Sequence, residues 1–176
     1  MPGYVCPECG LDYDSISPSD AKVAIRSFPR RYRTAVAGAL EDDADAGLIR
    51  RRPDAATWSA LEYTLHVADL YEAFAPAFRE MFERDKPTIG GMWDPDERVV
   101  AERYNEQDPM GAVDRLDAAA EALASVLDRV DADAWSRTAT FPWGERDLLT
   151  MTRNAVHEGS HHLRDVERVL EAARRP

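Results

Sequence analysis

The C-terminal part of the chain, from about residue 148 to 173, carries small and apolar residues at alternating four- and three-residue steps. This spacing puts them on one face of an α-helix, because the helix has about 3.6 residues per turn. The stripe consists of Leu148, Thr152, Ala155, Gly159, His162, Val166 and Val169, with Leu149, Val156, Leu163 and Leu170 beside it. A stripe of this length has to be buried, so the chain needs other helices to cover it.

The preceding sequence supplies such helices and no long alternating strand pattern. Ser59 and Glu62 fit a capping box, which indicates the start of a helix. The predicted long helices run from about residue 18 to 40 with an interruption near Pro29, from 59 to 84 with a bend near Pro76, from 110 to 130, and from 148 to 173. Four long helices predict an all-α protein, a four-helix bundle.

Shorter elements and connections separate these helices. A short helix is predicted over residues 95–104. Residues 42–57, 85–94 and 131–146 are predicted to be connections, the last of them with a Pro-Trp-Gly turn. We expect residues 17–176 to form one bundle domain and residues 1–16 to form a separate N-terminal segment.

The charge of the chain narrows the classes of partner. With 22 Lys and Arg against 33 Asp and Glu, the net charge is −11, which argues against a nucleic-acid partner. No apolar run approaches the roughly 18 residues of a membrane span, and no signal segment is visible at the N-terminus. We expect a cytoplasmic protein that acts on a small molecule. Bundles of this kind often dimerise, although no exposed apolar stripe points to a homodimer.

Residues 157–162, in the predicted last helix, contain two pairs of metal-ligand residue types four positions apart. Such pairs lie one turn apart on one helix face and can bind one divalent cation. The first pair is His157 and His161; the second is Glu158 and His162. His162 lies in the apolar stripe and Glu158 on its border, whereas the first pair shares a face with polar and basic residues. We therefore expect the second pair to face the interior and the first to lie nearer solvent.

A catalytic metal site usually has three protein ligands and one open position. The fourth histidine of the chain, His66, lies in an apolar seam of the second helix, between Tyr63 and Leu70. A lone histidine in such a seam is more often a hydrogen-bonded core residue, but an inward-facing Glu/His pair on another helix favours a ligand role. Asp69, three positions after His66, is a candidate acceptor that would orient its imidazole.

Two segments resemble a known family. Residues 58–69 are similar to the W-S-x-x-E-x-x-x-H-x-x-D signature of the DinB-like four-helix-bundle proteins, and residues 158–162 are similar to their H-G-x-H-H element. The resemblance covers residues 18–174 and implies that His66, Glu158 and His162 bind the metal. Glu158 stands where the family more usually has histidine, although the mycothiol-dependent maleylpyruvate isomerases are similar in using a His/Glu/His set.

The ligand set and the resemblance together indicate the kind of reaction that the protein is expected to catalyse. Two imidazoles and one carboxylate leave a divalent cation with a net charge of about +1, which favours an anionic fourth ligand such as hydroxide or thiolate. Zinc is the expected metal, although nickel, iron and manganese accept the same ligands. The resemblance implies a low-molecular-weight thiol cofactor of the mycothiol or bacillithiol type. We expect a metal-dependent, thiol-using transferase or isomerase; the alternatives are a metal-dependent hydrolase and a non-catalytic metal-binding bundle or interaction module.

Two charged residues are further candidates. Glu106, in a polar cluster after the short helix, is a candidate general base, and the alternative is a solvated helix end. Arg52, in a run of three arginines, is a candidate contact for an anionic cofactor or substrate. The alternative is a solvated run that balances the charge of an acidic protein.

The only cysteines, Cys6 and Cys9, have the C-x-x-C spacing of half a zinc site. A closed structural zinc site has four ligands, so three interpretations stay open. The pair shares a zinc ion with two non-cysteine ligands or a second subunit, acts as a redox dithiol, or remains from a lost zinc ribbon. If the N-terminal segment folds back over the last helix, His157 and His161 would complete a Cys2His2 set.

Overall fold

Four long helices dominate the computed structural model, which describes residues 3–42 and 46–175. They are α1 (Pro18–Asp42), α3 (Ala60–Glu83), α5 (Pro109–Leu127) and α6 (Leu148–Arg174), with the short helices α2 (Gly47–Arg50) and α4 (Pro95–Ala101) between them. The predicted all-α bundle is confirmed. None of the described helices is both long and apolar enough to cross a membrane.

The long helices are not arranged in chain order. α3 packs against α5 and α6, and α1 packs against the same two helices, so α1 and α3 lie on one diagonal of the bundle. The apolar stripe of α6 faces this interior, with Leu148, Ala155 and Val166 fully buried. The arrangement makes α3 and α6 neighbours, although 64 residues separate the end of α3 from the start of α6.

Side-chain caps define where the helices begin. Ser59 Oγ accepts a hydrogen bond from the Glu62 N–H (3.2 Å), and Glu62 Oε2 accepts one from the Ser59 N–H (2.8 Å), as the sequence predicts. The helices α4, α5 and α6 are capped by Asp94, Asp108 and Asp147. In each cap, the aspartate carboxylate accepts a hydrogen bond from the backbone N–H of the third residue after it. The caps at Ser59 and Asp147 fix where α3 and α6 begin, the two helices that carry the candidate ligands.

Three local predictions were wrong. Pro29 does not interrupt α1 but is buried within it, where the core contacts of its neighbours compensate for the lost backbone hydrogen bond. The connection 42–57 contains the helix α2, while residues 43–45 lie outside the described residues. The connection 131–146 contains most of a β-hairpin, β1 (Thr138–Phe141) and β2 (Gly144–Asp147). Four-residue strands are too short to show an alternating pattern.

The hairpin is tied to the loop that follows α3. The N–H of Ile89 donates to the carbonyl of Thr140, and the N–H of Thr140 donates to the carbonyl of Pro87, both at 2.9 Å. β2 ends at Asp147, the cap of α6. The hairpin and the loop therefore form one wall beside the start of α6.

The N-terminal segment, described from residue 3 to 16, lies along α6. The phenol of Tyr13 donates to Asn154 Oδ1 (3.0 Å), Arg153 Nε donates to the carbonyl of Ile16 (3.0 Å), and Arg164 donates to the carbonyl of Glu8 (3.2 Å). The fold-back considered from the sequence is therefore present, and it covers one face of α6.

Candidate metal centre

Three side chains from two helices meet in the bundle interior. α3 supplies His66, and α6 supplies Glu158 and His162, one turn apart. One ligand atom from each lies within 4.8 Å of the others, and His162 Nε2 is 3.2 Å from Glu158 Oε2. We call this set the three-ligand cluster. The sequence register that favoured Glu158 and His162 thus corresponds to side chains that converge on His66.

Aromatic rings fix the two imidazoles. The ring of His66, which is only 6% exposed, lies 5.0 Å from that of His162 at 84°. Trp58 packs against His66 (5.1 Å between ring centroids), and Tyr63 stacks on His162 (5.3 Å, 24° between planes). These contacts leave both imidazoles little freedom to rotate away from the cluster.

Asp165 orients His162 from the side opposite the cluster. Its Oδ2 lies 2.9 Å from His162 Nδ1, and its Oδ1 accepts a hydrogen bond from Arg168 (2.7 Å). With Nδ1 bound to a carboxylate, Nε2 is the nitrogen that faces Glu158. Histidine ligands in metal sites commonly have such a carboxylate on the second nitrogen. Asp165 was not predicted from the sequence, although its position three residues after His162 was a visible signal.

Burial and hydrogen bonds set the charges of the cluster. Burial lowers the pKa of His66 to about 4, with a further contribution from His162, so this imidazole is neutral at pH 7. Burial also lowers the pKa of His162, but the hydrogen bonds to Asp165 and Glu158 outweigh it and raise the pKa to about 9. Burial raises the pKa of Glu158, but the interaction with His162 lowers it by more. His162 is therefore an imidazolium between two carboxylates when no cation is bound.

Two buried phenols and one glycine hold the α6 backbone beside the cluster. Tyr71 donates to the carbonyl of Ala155 (3.0 Å), and Tyr32 donates to the carbonyl of Gly159 (3.1 Å). A Cβ atom on Gly159 would lie 2.6 Å from the ring of Phe28 and would also overlap the Tyr71 hydroxyl. Glycine at this position lets α6 approach α1 and α3 closely enough to bring the ligands together.

A cavity of about 310 Å³ borders Glu158. Tyr13 and Arg146 are among its lining residues, and neither was a candidate from the sequence. A second cavity of about 360 Å³ lies beside it and is lined mostly by apolar side chains. The residues that line both cavities are Phe74, Met92, Trp143 and Met151.

Asp69 has different partners from those the sequence predicted. Its buried carboxylate accepts hydrogen bonds from Arg98 Nε (2.6 Å), from the hydroxyl of Tyr104 and from Arg115. Within the described residues, these three groups replace the expected hydrogen bond to His66. A buried carboxylate is most stable beside cations, and these contacts connect α3 to α4 and α5. The orienting role expected of Asp69 is instead performed by Asp165, acting on the other histidine.

Glu106 and Arg52 each pair with an oppositely charged side chain. Glu106 is on the surface and pairs with Arg103. Arg52 donates two hydrogen bonds to Glu62, at 2.8 and 2.7 Å, and so supports the capping box of α3. Glu106 thus lies at a solvated helix end, as its alternative had it, whereas Arg52 is bonded to a buried carboxylate and is not part of a solvated run.

The N-terminal segment brings a second group of ligand types to α6. One ligand atom from each of Cys6, Cys9, His157 and His161 lies within 4.8 Å of the others, and we call this set the four-ligand cluster. The expectation that this histidine pair lies nearer solvent than the Glu/His pair was wrong. The side chains of His157 and His161 are only 15% and 19% exposed, against 21% and 16% for the other pair, because the N-terminal segment covers them. Burial raises the pKa of Cys6, but interactions with the backbone of Cys9 and with the nearby imidazole of His157 outweigh it and lower the pKa to about 5.

Known proteins resemble this chain in sequence and in fold. A sequence model described as the DinB superfamily matches residues 29–166. No curated protein matches the chain. Among solved structures, YfiT from Bacillus subtilis, described as a probable metal-dependent hydrolase with an unusual four-helix bundle topology, has a TM-score of 0.76 at 16% identity, with 89% of each chain covered.

The mycothiol-dependent maleylpyruvate isomerase is also similar, with a TM-score of 0.65 at 14% identity. A mutant of such an isomerase gives a TM-score of 0.66 at 13% identity. Each comparison covers 89% of this chain but only 63% of the isomerase, so this chain spans less than two thirds of that enzyme's length. At these identities, the similarity establishes the bundle fold.

Proposed function

The chain belongs to the DinB superfamily, and we propose that it is a metal-dependent enzyme that activates a low-molecular-weight thiol with a divalent cation held by His66, Glu158 and His162. The observation that carries this proposal is the convergence of three donor atoms within 4.8 Å of one another, from two helices that are distant in sequence. Three protein ligands leave a coordination position for an exogenous molecule.

The donors suit zinc or a similar divalent cation. Bonds from zinc to imidazole nitrogen and carboxylate oxygen are about 2.0–2.2 Å, so ligand atoms around one ion lie about 3 to 4 Å apart. Donor atoms within 4.8 Å of one another need only small side-chain rotations to reach that spacing. His66 is already neutral, and His162 loses its proton when it binds a cation.

The overall charge of the cluster favours an anionic ligand. Two neutral imidazoles and one carboxylate leave a net charge of about +1 on a divalent site. A metal bound there supplies Lewis acidity that lowers the pKa of a thiol or water ligand. The chain's own residues fix the donors: Asp165 holds the tautomer of His162, while Trp58 and Tyr63 restrict the two imidazole rings.

The cavity beside Glu158 supports a thiol larger than water. Its volume of about 310 Å³, next to a second of about 360 Å³, is in the range of small-molecule sites. Arg146 is a cation that can bind a carboxylate of the thiol or of its co-substrate, and Tyr13 is a neutral hydrogen-bonding group. The apolar residues between the two cavities suit the less polar part of a substrate.

Activation of water in place of a thiol is the second candidate. It would make the protein a metal-dependent hydrolase, which is how the similar YfiT structure is described. A third possibility is a bundle in which the metal only stabilises the fold. The three candidates differ in whether the cation has an open position and in what occupies it.

Cobalt substitution of a variant that lacks both cysteines, Cys6→Ser/Cys9→Ser, tests the proposal, because any thiolate signal in this background comes from an added thiol. We expect one tightly bound cobalt ion per chain, and thiolate-to-cobalt charge-transfer absorption when mycothiol is added. His66→Ala, Glu158→Ala and His162→Ala should each abolish cobalt binding. A spectrum that changes with azide but not with a thiol would support the hydrolase, and one that changes with neither would indicate a closed, structural site.

A further inference from the structure

The same turn of α6 that supplies two ligands of the three-ligand cluster also carries His157 and His161 on its other face. We propose that Cys6, Cys9, His157 and His161 bind a structural zinc ion, which fastens the N-terminal segment to α6. The site would be separate from the three-ligand cluster and closed, since all four zinc ligands come from the protein.

The backbone of the N-terminal segment presents both thiols to one point. The N–H of Cys6 donates to the carbonyl of Leu11, and the N–H of Gly10 donates to the carbonyl of Cys6, both at 2.9 Å. Gly10 has a φ of +73°, which the tight turn requires and which other residues rarely adopt. Cys6 and Cys9 are only 3% and 8% exposed, so the turn directs both sulfur atoms toward α6 and away from solvent.

The two histidines present suitable nitrogens. His157 Nε2 is buried and has no hydrogen-bond partner within the described residues. An unsatisfied buried nitrogen is costly, and a metal ion would satisfy it. The rings of Tyr4 and Tyr13 pack around His157, at 6.3 and 5.8 Å between centroids, which holds the imidazole in place.

The two ring nitrogens of His161 have different neighbours: one lies near a cysteine sulfur and the other near two carboxylates. Its Nδ1 is 3.6 Å from Cys6 Sγ, while its Nε2 is 3.5 Å from Glu8 Oε2 and 3.6 Å from Asp165 Oδ2. Binding zinc through Nδ1 would leave Nε2–H to donate to these carboxylates, the usual support for a ligating histidine. Asp165 would then contact one histidine of each metal site.

The residue types in the four-ligand cluster favour a zinc site over a redox dithiol. A disulfide needs only the two cysteines and would leave His157 Nε2 buried without a partner. Two thiolates and two neutral imidazoles neutralise a divalent cation completely, so such a site has no residual charge to attract a fifth ligand. The expected role is structural, in contrast to the net positive site at the three-ligand cluster.

A zinc ion here would also complete the cavity beside Glu158. Tyr13 belongs to the N-terminal segment, lines this cavity and donates to Asn154 on α6. Four zinc bonds close to Tyr13 would hold this wall in place, since short segments near a chain terminus are easily displaced unless they are tied down.

The test is a zinc count on protein purified without a polyhistidine tag. We expect two zinc ions per chain in the wild type, one in Cys6→Ser/Cys9→Ser, and one in His66→Ala/His162→Ala. In the last variant, replacing zinc by cobalt should give a tetrahedral cobalt spectrum with thiolate charge-transfer absorption that needs no added thiol. Limited proteolysis should cut residues 3–16 faster in the cysteine variant, while circular dichroism shows that the bundle stays folded.

Other outcomes separate the failure of this site from that of the proposed function. An unchanged zinc count in the cysteine variant would overturn the structural site. So would a 6–9 disulfide without zinc in the wild type, which would identify a redox pair. A single zinc ion lost only in His66→Ala/His162→Ala would overturn the inference and leave the proposed function intact. A single zinc ion lost only in the cysteine variant would overturn the proposed function and leave the inference intact.

Discussion

His162 Nδ1 lies 2.9 Å from Asp165 Oδ2, one turn further along α6. Because ligand and acceptor are on the same helix, their separation is fixed by the helix itself and does not depend on the packing of other elements. Arg168 donates to the other oxygen of the carboxylate and so helps to aim Asp165 at the ring. Burial raises the pKa of Asp165, but the interaction with His162 outweighs it and lowers the pKa below its usual range. This pair aims the Nε2 nitrogen of His162 toward Glu158 and His66.

Replacing Asp165 by asparagine should weaken metal binding at the three-ligand cluster about 10- to 100-fold. The amide carries no charge and so stabilises the metal-bound imidazole less than the carboxylate does. Zinc affinity would be measured by chelator competition in the Cys6→Ser/Cys9→Ser background. Asp117→Asn, an exposed aspartate on α5, is the matched control and should leave affinity unchanged. Equal affinity in the two variants would show that Asp165 does not support the site.

Asp69→Ala should show the opposite pattern, with a loss of stability and no change in metal affinity. The change leaves Arg98 and Arg115 without their buried carboxylate. We expect the free energy of unfolding to fall by about 2–4 kcal/mol, toward the lower end for a broken buried pair because both arginines are partly solvated. Urea denaturation of the zinc-free protein would measure this. A fall in zinc affinity without a loss of stability would instead return Asp69 to the metal site.

The sequence predicted those features that depend on a single helix. The stripe of α6 placed His162 inward, the capping box located the start of α3, and the four long helices were recognised from their spacing alone. Each of these follows from the 3.6-residue period or from contacts within four residues along the chain.

Other features that depend on tertiary contacts were not predicted, although the family resemblance had grouped His66 with Glu158 and His162. Asp69 was expected to orient His66, but its carboxylate instead accepts hydrogen bonds from arginines of α4 and α5. No local sequence pattern indicates which helices become neighbours. The roles of Tyr13 and Arg146 as cavity lining depend on the fold-back of the N-terminal segment and on a hairpin of two four-residue strands. Such contacts join parts of the chain that are far apart in sequence.

Gly159→Ala should disturb the three-ligand cluster without touching any ligand. The added Cβ would overlap Phe28 and Tyr71, which forces α6 away from α1 and α3. We expect the free energy of unfolding to fall by about 1–3 kcal/mol, the usual cost of overpacking, together with weaker zinc binding.

Gly38→Ala on α1 is the control for this change. A Cβ atom there meets nothing within 4 Å. Alanine should therefore stabilise the helix by up to about 1 kcal/mol and leave zinc binding unchanged. If both glycine variants behaved alike, close approach at Gly159 would not be what positions the cluster.

The zinc-free protein should lose a specific contribution to stability at alkaline pH. Burial opposes the charged form of His162, but Asp165 and Glu158 raise its pKa to about 9, above the 6.5 of an unperturbed histidine. A group whose pKa is raised by folding stabilises the fold fully below the unfolded pKa, and this stabilisation disappears as the pH rises through the folded pKa. The contribution should be complete below about pH 6.5 and absent above about pH 9, with a size of about 3 kcal/mol.

The measurement is the difference in unfolding free energy between wild type and His162→Gln in chelator, from pH 6 to 9.5. A difference that stays constant over this range would show that His162 is not held as an imidazolium between the two carboxylates. His66, whose pKa burial lowers to about 4, should act in the other direction and destabilise the fold only as the pH falls below about 6.5.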